Sequence, residues 1–126
     1  MKYHIVAGEE LKKIMASFLG DAIPFNEDMS HGDYQSVPFT EAFFTERASC
    51  HGVTVEEYKN KLSAFLGFLG HVNDKDEVHL YFGEDATCLA NRALLIEYLK
   101  PRVGSLVLHI VDEYTGAEIK APQVIL

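Results

Sequence analysis

Four pairs of acidic residues each follow an apolar run: Glu9-Glu10 after Gly8, Glu27-Asp28 after Asn26, Glu84-Asp85 after Gly83, and Asp112-Glu113 after Val111. Carboxylates brought together repel one another. The repulsion is relieved by a hard divalent cation, or by a proton that one member keeps and can donate as an acid. Acids just after a strand also serve as ordinary helix caps, because a helix N-terminus carries partial positive charge. The chemistry therefore turns on whether the four pairs share one place in the fold.

The elements that carry them are legible from hydrophobic periodicity. Tyr3 to Ala7 reads as a strand ending at Gly8. Glu9 and Glu10 open a helix with its stripe at Leu11, Ile14, Met15, Phe18 and Leu19, closed by Gly20. Ala22 to Phe25 is a second strand, placed at a sheet edge by Pro24. Asn26 to Val37 is a long polar loop of the kind that carries function in compact domains. A helix follows from Pro38 through Cys50, with Phe39, Phe43 and Phe44 inward. Thr54 and Glu57 form a capping box for the next helix, whose stripe is Tyr58, Leu62, Phe65, Leu66 and Leu69. Val78 to Phe82 is a strand, Asp85 to Lys100 a helix that stops before Pro101, and Ser105 to Val111 a strand apolar on both faces. Too few residues separate it from the last extended run for a parallel crossover, so that final strand is expected to be antiparallel.

These elements predict one α/β domain over residues 1–126, a small doubly wound, Rossmann-like three-layer sandwich. Right-handed crossovers and the proline-bearing edge give a mostly parallel sheet of order 2-1-3-4, with the antiparallel last strand beside the fourth. In such a sheet all four acidic pairs fall on the carboxyl edge, and the order reverses between strands one and three, where open α/β folds bind ligands. At that rim we assign Gly8, Glu9, Asp28, Ser30, Arg47 and Gly83 to ligand binding. Gly8 and Gly83 would let backbone amides approach closely, and Arg47 would meet an anionic group. Asp28, Glu84, Asp85 and Asp112 are the metal-ligand candidates, for Mg²⁺ or Mn²⁺. His31, in the loop after strand two, is the histidine placed to act there as a base.

His4, His79 and His109 occupy matching places in three strands. At about 3.3 Å per residue they lie roughly 13 Å from the carboxyl rim, so they read as structural or as lining the opposite edge. Cys88 stands in the first turn of a helix, but the neighbouring acids oppose a reactive thiolate, and it reads as a small buried hydrophobe.

Composition narrows the function. Nineteen acids against 11 bases give a net charge of −8, with no basic stripe for a phosphate backbone, so non-specific nucleic-acid binding is not expected. No apolar run suits a signal peptide or a membrane span. Two cysteines make no disulfide framework, and the expected setting is a reducing cytoplasm. The chain lacks a P-loop, a nucleophile elbow and an HExxH motif. Val124, Ile125 and Leu126 leave apolar residues on both faces of an edge strand. Either the natural chain continues beyond them, or a second copy covers that edge in a symmetric homodimer; the dimer is the expectation.

The strand Tyr3-His4-Ile5-Val6-Ala7-Gly8, the loop Asp28-Met29-Ser30-His31-Gly32, Arg47 in the following helix, and Val78-His79-Leu80-Tyr81-Phe82-Gly83-Glu84-Asp85 resemble the bacterial domain-of-unknown-function family numbered 1835. The likeness spans residues 3 to 111 and departs from the family at Gly32-Asp33, where the family has Gly-Pro. It implies the same architecture and the same rim, and names no reaction. Two functions follow from the sequence: binding of a small ligand or divalent metal at the acidic carboxyl edge, or a non-catalytic protein-interaction module whose rim holds nothing.

Overall fold

The structure is a computed structural model that describes residues 1–126. Alternation of apolar side chains sets its layers. The strands are β1 (Lys2–Val6), β2 (Ile23–Pro24), β3 (Glu77–Phe82), β4 (Ser105–Ile110) and β5 (Gln123–Val124). They form one sheet in the order β2-β1-β3-β4-β5, with β5 alone antiparallel. The fold is therefore the predicted α/β sandwich with the predicted strand order. Register is regular across the centre, where Ile5 pairs with Leu80 and Leu80 with Leu108.

On one face Ile5, Val78, Leu80, Phe82, Leu106, Leu108 and Ile110 belong to the larger core. Four helices cover it: α2 (Glu41–His51), α3 (Val55–Lys61), α4 (Ser63–Leu69) and α5 (Ala86–Leu99). On the other face Val6, Tyr81 and Val111 pack against Leu11 and Met15 of α1 (Glu9–Leu19). The opposite face is thus covered by a single helix, which lies over its carboxyl half.

Local chemistry explains where the elements depart from the sequence reading. The helix expected from Pro38 starts at Glu41, because Thr40 is the N-cap and its hydroxyl accepts from the Phe43 N–H. Phe39 precedes it with φ 64, a left-handed conformation that costs a non-glycine residue roughly 1–2 kcal/mol. Its ring is held there edge-on against Phe25, Phe43 and Tyr98. The capping box at Thr54 and Glu57 is present. The stripe it opens is divided at Leu62 into α3 and α4, with Tyr58, Leu62, Phe65 and Phe68 as the buried set. Strand two shrinks to Ile23–Pro24, the edge position that Pro24 tolerates.

At the far edge, β5 pairs Val124 with Val107 and Gln123 with Leu108. Ile125 packs on the larger core, whereas Val124 is 76% exposed. No helix is long and apolar enough to cross a membrane.

Candidate functional site

The turns after β1, β2, β3 and β4 converge at the carboxyl edge, as a parallel sheet requires. Between them lies an open cleft of about 1190 Å³. Gly8 and Glu9 enter it from the β1–α1 turn, Asn26, Glu27 and Asp28 from the segment after β2, Thr87, Cys88 and Asn91 from α5, and Glu113 from the segment after β4. Tyr58 and Lys61 close it from α3, and His31 and His51 from the loop and α2.

The wall after β2 is built around Glu27, whose side chain is fully buried. Arg47 donates to it through Nε at 3.0 Å and through an Nη at 3.0 Å. His51 lies one turn further along α2 and meets the same carboxylate at 2.5 Å. The Tyr58 hydroxyl donates to it as well, and so does the Asp28 N–H at 2.8 Å. Burial opposes ionisation of Glu27, but this set of donors outweighs it and holds the carboxyl at about 2. The Tyr58 phenol is pushed upward, by burial first and then by the hydrogen bond to Glu27.

The same guanidinium reaches the Asp28 carbonyl at 2.9 Å, and Asn91 of α5 donates to the Glu27 carbonyl at 2.7 Å while accepting from Met29 N–H at 2.8 Å. The buried pair thus fixes the backbone that presents Asp28 and His31.

Asp28 is half-buried, and its carboxylate accepts from the Ser30 hydroxyl at 2.5 Å and the Ser30 N–H at 2.9 Å. The hydroxyl contact is the main reason its pKa is lowered. Thr87 lines the cleft between the Asp28 and Asp85 sides.

On the β3–β4 side, Asp85 is the N-cap of α5 and accepts from the Cys88 N–H at 2.8 Å. The Cys88 thiol donates to Glu113 at 3.3 Å. One ligand atom from each of Asp85, Cys88 and Glu113 lies within 4.8 Å of the others, a group with the residue types to hold a metal ion. The Glu113 carboxyl is raised, first by burial and then by the hydrogen bond to Asp85. Asp85 is lowered, chiefly by the Cys88 N–H and next by Glu113. The two shifts run in opposite directions, so Glu113 holds a proton more readily than Asp85. Burial pushes the Cys88 thiol up to about 12. Gly83 makes room for this group: a Cβ there would stand 2.9 Å from Glu113 Cγ.

Of the residues assigned from sequence, Gly8, Glu9, Asp28 and His31 line the cleft. Ser30 acts one step back, on Asp28. Arg47 is fully buried and committed to Glu27, which closes it to an anion from solution. Glu84 turns away to Lys120 at 2.8 Å. Asp112 caps its own turn, accepting from Tyr114 N–H at 2.8 Å and Thr115 N–H at 3.1 Å. Only Asp85 among the four metal candidates enters the three-residue group.

Glu27, His51, Tyr58 and Glu113 carry more of the site than the sequence reading gave them. One signal was present: Arg47 and His51 are four apart on one helix, so they share a face and can meet one carboxylate.

No protein-family model, curated protein or solved structure matches this chain.

Proposed function

We propose that the carboxyl-edge cleft binds a small polar ligand together with a divalent cation, the cation being held by Asp85, Cys88 and Glu113. The observation that carries this reading is the group itself. Two carboxyls and a thiol lie within 4.8 Å of one another where the parallel strands end, and a cation there would displace the thiol proton. A thiol beside two carboxylates suits Zn²⁺ better than Mn²⁺ or Mg²⁺, which prefer oxygen ligands. Asp28 and Glu9 face the same space from the opposite wall and add negative charge for a cationic or metal-bound ligand.

Mn²⁺ and Zn²⁺ titrations followed by melting temperature test it. A ligand that binds only the native state stabilises it by about 2.7 kcal/mol at a hundred times its Kd. The melting temperature should rise in the wild-type chain, and the rise should shrink in E113Q and C88A. An unchanged melting temperature at millimolar metal would favour the interaction-module reading.

A further inference from the structure

Beyond the cleft, on the face of the sheet that α1 covers only in part, three histidines lie side by side. His4, His79 and His109 come from β1, β3 and β4, with ring centroids 5.5 Å apart for His4–His79 and 5.0 Å for His79–His109. His4 is occupied through Nδ1 by the Tyr81 hydroxyl at 2.8 Å. The other two face each other directly, His79 Nδ1 to His109 Nε2, at 2.8 Å.

Their outer nitrogens fix what those inner ones carry. His79 Nε2 meets the Glu77 carboxylate and His109 Nδ1 meets the Glu118 carboxylate. A carboxylate only accepts, so both outer nitrogens carry hydrogen. In the neutral rings the two inner nitrogens are then bare, and two lone pairs point at one another across 2.8 Å. That contact needs a cation between them.

We propose that His79 and His109 bind a divalent transition-metal ion of the Zn²⁺ class, separate from the cleft. A carboxylate behind each imidazole is the arrangement that orients metal-bound histidines and raises their basicity. At Zn–N distances near 2.0–2.1 Å, two tetrahedral nitrogens stand about 3.3 Å apart, so the pair must open by about half an ångström and each ring must tilt by roughly 35° to turn its lone pair onto the ion. The side chains are 11% and 13% exposed, so both rings border solvent, from which water would complete the ion's coordination.

Zn²⁺ is titrated into the full chain and into C88A/E113Q, which lacks the cleft group. Binding of one equivalent should survive in C88A/E113Q, fall at least tenfold on adding H109Q, and fall about tenfold on adding E118Q, the usual effect of losing an orienting carboxylate. In the wild-type chain, Zn²⁺ should move the ¹⁵N resonances of His79 Nδ1 and His109 Nε2. Loss of all Zn²⁺ binding in a folded C88A/E113Q, an unchanged affinity with H109Q, or unmoved histidine resonances would each overturn the proposal, the last leaving a proton as the only cation there. The resonance measurement needs no variant, so it decides the question even where H109Q or C88A/E113Q does not fold.

Discussion

Glu27 and Arg47 meet at 3.0 Å with neither side chain exposed, and the segment that presents Asp28 and His31 to the cleft hangs from that contact. Leaving one charge of such a pair buried alone is costly. Arg47→Ala should destabilise the chain by about 3–5 kcal/mol, read as a lower urea midpoint at unchanged slope. Glu27→Gln should cost less, because Arg47 keeps the Asp28 carbonyl as a partner. The double variant should fall well short of the sum of the two, since both remove one interaction.

The same carboxylate predicts an acid limb. Its pKa is depressed from 4.5 to about 2 in the folded chain, so its contribution is complete above the unfolded value and disappears as pH falls through the folded one. Stability should decline between about pH 4.5 and pH 2, and the decline should be shallower in Glu27→Gln. Melting temperatures across that range provide the check.

Glu113 predicts the opposite sign. Its folded pKa is raised, so its contribution is complete below the unfolded value and is lost as pH rises through the folded one. Glu113→Gln keeps a donor toward Asp85 and cannot ionise. Its melting temperature relative to wild type should therefore climb from pH 5 to pH 8 without metal. A difference that is flat or reversed would show that folding does not raise the Glu113 carboxyl.

The parts of this site that were legible in the sequence are those that periodicity controls. Strand order followed from Pro24 and from crossover handedness, and with it the convergence of the four acidic pairs on one edge. Periodicity places backbones, however, and does not choose between adjacent side chains. In Glu27-Asp28 the inward member is Glu27, and in Asp112-Glu113 it is Glu113, because the chain has left the strand at both points and alternation no longer applies. Glu84 was lost to Lys120, a residue 36 positions away that no local pattern connects to it. The histidine face was legible in part: His4 pairs with His79 as their matching places implied, whereas His109 stands two places further along, opposite Tyr81, and shares the face by alternation. The carboxylates behind His79 and His109 could not be paired from sequence, because Glu118 is brought back by the Asp112–Ala117 turn.

Gly83 offers a test of the cation site that leaves every ligand atom in place. Its backbone lies against Glu113, and a Cβ would approach Oε2 and Cγ at 2.9 Å. Gly83→Ala should swing Glu113 away from Cys88 and weaken Mn²⁺ or Zn²⁺ stabilisation at the cleft. Zn²⁺ binding at the histidine face should be unaffected. Thermal melts with and without metal separate the two.

The loop that carries His31 is pinned at Gly32. Its φ is 73, and a Cβ would stand 2.7 Å from Cys50 Sγ and 2.9 Å from Cys50 Cβ on α2. The left-handed conformation alone costs alanine roughly 1–2 kcal/mol, and the close approach to α2 adds to it. His31 stacks on His51 with centroids 5.5 Å apart and reaches the Cys50 carbonyl at 3.3 Å, so a displaced Gly32 carries both contacts with it. Gly32→Ala should lower stability by at least that amount and shift the His31 ring resonances, while the β-sheet amides stay in place. Adding Cys50→Ala removes the sulfur contact but neither the Cβ contact nor the strained φ, so it should restore only part of the loss. Full recovery in the double variant would mean that the backbone conformation at Gly32 imposes no cost and that the sulfur clash alone pins the loop.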